Sequence, residues 1–293
     1  MWTAWKPLPL SDQPWRFFDL KELLQGGQSF RWFFEPESKA FIGGWAGFLL
    51  RLRVSPGGLL EASFPKGETA RLAPSEEAVV QYLGYSAEQT DLQENLPWRS
   101  DPILREAIEQ FPRLRILQQP PEEALLSFLC SATKQIPQIQ QGLWQLAQRF
   151  GQPLTVDWNQ LPDWEVLAGI PLGDLRETGI GFRARHIAGT ADFLKRNPGY
   201  LSAIPELPYP KARSALLKLP GVGTKVADCT LLFGFQKWEA FPVDTWIAKT
   251  LQHLYGLHDW NLSQLETFGR IHFGRGAGLA QQFLFARMRQ LSK

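Results

Sequence analysis

Two spacings of apolar side chains divide the chain. Over the first hundred residues they fall in short runs, SFRWFF (29–34), FIGGWAGFLLRLRV (41–54) and LLEASF (59–64), separated by EPESKA and SPGG. Aromatic and β-branched runs bounded by Gly, Pro and Ser predict strands joined by turns. Three or more antiparallel strands are expected here, with a helix or two, one of them near 75–83. From about residue 100 the apolar spacing becomes three and four. DPILREAIEQF, PEEALLSFLCSA, IPQIQQGLWQLAQRFG, DWEVLAGI, RARHIAGTADFLKR, KARSALLKL, TKVADCTLLFGF, VDTWIAKTLQHLYG and GLAQQFLFARMRQL follow one another, with many ends marked by Gly or Pro. Roughly eight to ten helices are expected from this spacing. The predicted fold class is α+β: an N-terminal twisted antiparallel β-sheet domain over 1–112, then an all-helical domain over 113–293. No fixed-period repeat or low-complexity tract interrupts either part.

Composition narrows the classes. With 44% apolar and 13% aromatic residues and only 20% charged, the chain can bury a sizeable core and is not of disordered type. No run of about 18 apolar residues marks a membrane-crossing helix. The opening MWTAWKPLPLSDQPW lacks the plan of a secretory signal, so a cytoplasmic setting, or a nuclear one in a eukaryote, is expected. Two cysteines, Cys130 and Cys229, cannot supply a four-thiolate cluster, and the four histidines show no metal-ligand spacing. No metal and no organic cofactor are expected. Net charge is only +2, but its distribution is uneven. Residues 1–100 hold 10 Lys and Arg against 12 acids, whereas residues 183–225 hold eight against two. A basic face on the second half suits an anionic partner, although a solvated helical surface fits the charge equally well.

The stretch LPGVGTKVADC (219–229) poses the chemical question. Pro220 ends the helical run 211–219, Gly221 and Gly223 are expected to supply positive φ angles, and Gly223 or Thr224 can cap the next helix. Such a turn between two helices presents free N–H groups that can hold a phosphate without reading sequence, which makes Gly221, Val222 and Gly223 candidates for contact with a DNA backbone. Lys225 is out of place electrostatically. A cation in a first helical turn faces the positive end of the macrodipole, costing about 0.3–1 kcal/mol when exposed. A partly desolvated lysine at that position is expected to have a lowered pKa and more free amine, as a nucleophile requires. Cys229, four residues on, shares its helical face. In FPVDTW, Asp244 precedes a helix and reads as an N-cap worth about 1 kcal/mol. Helix-end amides would keep its carboxylate ionised beside developing positive charge, so capping and catalysis are compatible.

These residues resemble the 8-oxoguanine DNA glycosylase/AP lyase family of helix–hairpin–helix DNA glycosylases. The likeness spans nearly the whole chain and includes GGQSFRW (26–32), LLSFLCSA (125–132), GIGFRARHI (179–187) and GLAQQFLF (278–285), in order. The resemblance implies that Lys225 attacks C1′ of the damaged nucleotide and forms a Schiff base, supported by Asp244. It implies that the Gly27 carbonyl accepts the N7–H that distinguishes 8-oxoguanine from guanine. Gln281 and Phe285 then hold the flipped base by its Watson–Crick edge and by stacking, with Cys229 as the opposite wall. The implied partner is double-stranded DNA carrying oxidised guanine, bound by a monomer.

The chain also departs from that family. After LLSFLCSA, eukaryotic members continue with asparagines and then an arginine; here the run is Thr133-Lys134-Gln135, with Gln138 at the arginine position. Phe182 stands for a tyrosine in the wedge beside the gap, and Trp246 for a histidine that touches phosphate. Arg183 beside the wedge is either a brace for the opened duplex or a solvated helix face. Thr133 is shorter than asparagine and Gln138 lacks an arginine's charged fork, so base removal with weak preference for an opposite cytosine is expected. Two other readings remain: a glycosylase of the same fold for another damaged base, and a non-catalytic DNA-damage-binding protein.

Overall fold

The computed structural model describes residues 2–10 and 14–291; the outer bounds of the two predicted domains, residues 1 and 293, lie outside the described residues. Strands β1 (Lys6–Pro7), β2 (Trp32–Glu35), β3 (Ala40–Gly43), β4 (Leu50–Val54) and β5 (Leu60–Ser63) form one antiparallel sheet in the order β1-β5-β4-β3-β2. The period of two fixes its faces. Leu50 and Leu52 of β4 are buried, while Arg51 and Arg53 alternate with them and pair with Glu35 at 2.8 Å and Glu61 at 2.9 Å. Helix α1 (Phe17–Gln25) buries Leu20, Leu23 and Leu24 and packs against β2 and β4. The run 41–54, read from the sequence as one strand, is two. Ala46 and Gly47 adopt left-handed conformations, with φ of 49° and 80°, and turn the chain back on itself.

Helices α2 (Glu76–Tyr82), α3 (Ala87–Glu94) and α4 (Pro102–Gln110) complete the N-terminal part, and α3 and α4 pack on the last helix. The rest is helical: α5 (Pro121–Leu129), α6 (Ile136–Phe150), α7 (Trp164–Gly169), α8 (Leu172–Leu175), α9 (Arg183–Arg196), α10 (Tyr209–Leu216), α11 (Thr224–Phe235), α12 (Thr245–Leu254), α13 (Leu262–Phe273) and α14 (Ala277–Leu291). The fold is α+β, as the two spacings predict.

Helices α5 and α11 lie antiparallel in the middle of the helical part. At one end Gly234 sits so close to Pro121 that a Cβ would come within 2.9 Å of its Cα. At the other, Lys225 reaches Ser131. Phe128 stacks on Phe233 between them, ring centroids 5.2 Å apart. The apolar core runs unbroken from the sheet through this pair to α14, which brings residues from both ends of the chain together.

Candidate active site

One pocket is lined by Gly27, Phe128, Lys225, Cys229, Phe233, Pro242, Asp244, Gln281, Gln282 and Phe285. It unites the six residues singled out for catalysis and base binding, drawn from the α1–β2 loop and from α11, α12 and α14. The space between these side chains is about 40 Å³, enough for only a few water molecules.

Lys225 is the second residue of α11 and half-buried. Its Nζ donates to Ser131 Oγ at 2.8 Å and lies 5.1 Å from the centroid of the Phe128 ring. The Ser131 hydroxyl in turn donates to the Phe128 carbonyl at 2.7 Å. Cys229, one turn along α11, is buried, and burial pushes its thiol up to about 12 against the pull of Lys225. It is therefore a neutral, polarisable wall rather than a thiolate. Asp244 is the N-cap of α12, with Oδ1 accepting from the Ile247 N–H at 2.8 Å. Burial pushes its carboxyl above the usual range, and the Ile247 and Trp246 amides and Lys225 oppose that shift without cancelling it. Cap amides alone suggested a carboxylate held firmly ionised; the desolvation that works against them is a tertiary effect.

Gly27 has φ of +102°, and a Cβ there would meet Ile136 at 3.3 Å and Phe285 at 3.4 Å. Its neighbours are fixed on both sides. Arg289 donates to the Gly26 carbonyl and to Glu22, each at 2.9 Å. Gln28 is clamped through its amide to Arg115 O and Leu117 N, and its carbonyl accepts from Gln119 at 2.8 Å. The Gly27 carbonyl accepts no hydrogen bond among the described residues. Gln281 is buried, donating to the Pro242 carbonyl at 3.1 Å and accepting from Gln282 at 2.6 Å. A donor to a carbonyl on one side and an acceptor from an amide on the other fix which way its amide points. Sequence reasoning singled out none of Ser131, Gln28, Gln119, Gln282 and Arg289. Ser131 lies inside LLSFLCSA and Gln282 beside Gln281, so both had a local signal; Gln119 and Arg289 had none.

The hairpin between α10 and α11 corrects one expectation. Only Gly221 has positive φ, +78°, and a Cβ there would come within 2.3 Å of the His186 side chain. Gly223 is the N-cap of α11 in extended conformation, φ −89°, exposed and with open space around it. Val222 between them is buried. No side chain caps α11, which leaves its leading N–H groups available to an anion.

A second group sits at the loop after α5. Thr133 is exposed with φ of +55° and accepts from Arg183 at 2.8 Å. Arg183 is buried rather than on a solvated face; it also donates to the Ile180 carbonyl at 3.1 Å and covers the Phe182 ring at 4.4 Å. Lys134 reaches across to the Gly179 carbonyl at 2.6 Å. Phe182 itself is 51% exposed. Gln138 is exposed and closes a capping box on Gln135 at the start of α6, at 3.1 Å. Trp246 lies half-buried in the first turn of α12 with the Lys249 ammonium 5.8 Å from its ring.

Comparison with known proteins gives a consistent result. A family model described as the N-terminal domain of 8-oxoguanine DNA glycosylase matches residues 10–125. A probable N-glycosylase/DNA lyase of Methanothermobacter thermautotrophicus is 30% identical over 223 residues, covering 68% of this chain and 71% of the relative. The N-glycosylase/DNA lyase of Arabidopsis thaliana is 30% identical over 274 residues, covering 88% and 74%. The crystal structure of the Clostridium acetobutylicum 8-oxoguanine glycosylase/lyase, bound to duplex DNA with cytosine opposite 8-oxoguanine, superposes with a TM-score of 0.83 at 30% identity. That match covers 94% of this chain and 92% of the other.

Proposed function

Because this chain belongs to the 8-oxoguanine DNA glycosylase/lyase family, we propose that Lys225 is the nucleophile with which it excises 8-oxoguanine from duplex DNA before cleaving the strand. The protein is an N-glycosylase/DNA lyase, and duplex DNA is its substrate. The observation that carries the assignment is the single pocket in which Lys225 and Asp244 meet Gly27, Cys229, Gln281 and Phe285.

A base stacked in a duplex is out of reach at C1′, so the nucleotide is flipped out at a cost of a few kcal/mol. The neutral Lys225 amine attacks C1′; the bond from C1′ to the base breaks, its electron pair leaves with the base, and the base takes up a proton. Asp244 stabilises the positive charge that builds on the sugar. The attached amine gives up one of its two protons, the C1′–O4′ bond breaks with O4′ taking up a proton, and a protonated imine forms. That cation acidifies C2′, whose proton is removed as the electron pair moves to expel the 3′ phosphate. Gly27 supplies a fixed acceptor for the N7–H of 8-oxoguanine. Guanine has no hydrogen there and leaves that acceptor unpaired, a penalty of about 1–3 kcal/mol. Gln281 meets the Watson–Crick edge, Phe285 and Cys229 sandwich the ring, and the 221–223 hairpin takes the backbone. All these groups come from one chain, which supports action as a monomer.

Thr133, Gln138 and Phe182 leave the space opposite the lesion without a charged fork, and Arg183 is spent on Thr133 and Ile180. Base release from duplexes carrying 8-oxoguanine opposite each of the four bases tests both parts of the reading. Similar rates for all four are expected. A strong preference for cytosine would refute the weak discrimination, and no release from any duplex would refute the substrate.

A further inference from the structure

We infer that Ser131 is a positioning residue for the nucleophile: its hydroxyl, anchored on the last turn of α5, holds the Lys225 ammonium in the pocket. This rests on Lys225 acting as proposed above. A lysine in the first turn of α11 should be disfavoured by that helix's dipole. The antiparallel packing of α5 and α11 removes the difficulty, because it sets the C-terminal end of α5 against the N-terminal end of α11. The ammonium meets that negative end in two ways. Nζ donates to Ser131 Oγ at 2.8 Å, and it lies over the Phe128 ring at 5.1 Å.

The direction of the second hydrogen bond decides what Ser131 can do. Its only proton goes to the Phe128 carbonyl at 2.7 Å, so the oxygen turns its lone pairs to Lys225 and acts purely as an acceptor. Ser131 is 7% exposed, which shields this acceptor from competing water. A lysine side chain has four rotatable bonds, and without such an acceptor its head would sample a wide arc of the pocket. Held here, Nζ stays between the Phe128 ring and the pocket and is released to C1′ when it loses a proton.

The charged or titratable groups facing Lys225 from the packed elements are few. Asp244 comes from α12 and Cys229 from α11 itself. Cys130, next to Ser131, is electrostatically coupled to Arg183 and Lys134, and α14 contributes Gln281, Gln282 and Phe285 to the pocket. Ser131 is thus the hydroxyl that sets where the amine rests.

Three variants test this, with single-turnover excision of 8-oxoguanine and borohydride trapping on a preformed abasic site as readouts. Ser131→Ala removes the acceptor. Ser131→Cys keeps the volume but offers only a weak acceptor, and Ser131→Thr keeps the hydroxyl. The expected result is a loss of about 10–100-fold in both rates for Ala and for Cys, with DNA affinity in a binding titration unchanged and recovery in Thr. Activity in Cys close to the parent, with loss in Ala, would show that only the volume matters and would overturn the inference. So would full activity in Ala. Lys225→Gln runs alongside: trapping that survives that change refutes the nucleophile itself, a failure distinct from that of Ser131.

Discussion

At Asp244 one side chain answers to two demands that pull apart. As the N-cap of α12 it accepts a backbone N–H, and as the proposed partner of Lys225 it would carry charge in a half-buried, desolvated pocket. Burial wins, and the carboxyl sits above its usual range. A carboxyl whose folded pKa lies above its unfolded value binds its proton more tightly when folded, so its ionisation works against folding. That penalty is fully present above the folded pKa and fades as pH falls through it toward the unfolded value. Asn caps a helix as well as Asp. Asp244→Asn should therefore raise the melting temperature at neutral pH, by a margin that shrinks on acidification, while excision falls about 10²–10³-fold. A variant less stable than the parent at pH 7 would contradict the sign. The sequence disclosed the cap, and the family likeness suggested the catalytic role proposed for it; the burial that opposes ionisation depends on neighbours far along the chain and could not be read from FPVDTW alone.

At the scale of elements, the α10–α11 hairpin separates glycines needed for shape from those left open for a ligand. Gly221 is needed for shape: left-handed backbone costs an ordinary residue about 1–2 kcal/mol, and its Cβ would strike His186. Gly221→Ala should lose at least that much stability in denaturant unfolding. Gly223 is extended and unobstructed, so Gly223→Ala should leave stability within about 0.5 kcal/mol yet weaken binding to duplex DNA, because a methyl would stand where a phosphate is proposed to approach. Unchanged DNA affinity in Gly223→Ala would argue against a backbone contact at this turn. Both glycines look alike in LPGVGTK; their backbone angles and the packing of α9 on one of them distinguish them. Other elements failed to show in the sequence for equally local reasons. Helix α1 enters on Arg16, whose main chain and side chain both bind Asp19, so no Ser, Thr, Asp or Asn announces it. Helix α3, AEQTDLQE, buries Gln89 as well as Leu92, and a buried glutamine leaves no apolar rhythm. The long helices α6, α9 and α14 needed no such help, since their spacing is sustained over three or more turns.

The whole molecule works by bringing distant parts of the chain to one pocket. Arg289 in the last helix holds Gly26 and Glu22 in the first part of the chain and covers Phe285 at 5.5 Å. It ties the loop proposed to sense N7–H to the helix proposed to stack the base. Arg289→Ala should cut discrimination between 8-oxoguanine and guanine by about tenfold, in line with one lost buried hydrogen bond, while cleavage at a preformed abasic site stays near the parent rate. Equal losses on both substrates would mean a general structural role. The two-part architecture was legible in the change of apolar spacing near residue 100, and the pocket's six central residues were legible through the family likeness. What held them was not. Gln28, Gln119, Ser131 and Arg289 act through contacts between segments that no local pattern connects, while Gln282 binds its own neighbour Gln281.

The measurement that bears most directly on the proposed chemistry is borohydride reduction of the protein mixed with a duplex carrying one 8-oxoguanine, followed by mapping of the modified peptide. The expected result is a covalent DNA adduct on Lys225 that forms with the lesion, fails with undamaged duplex and is absent in Lys225→Gln. An adduct on another residue, or lesion-dependent binding with no adduct at all, would contradict Lys225 as the nucleophile.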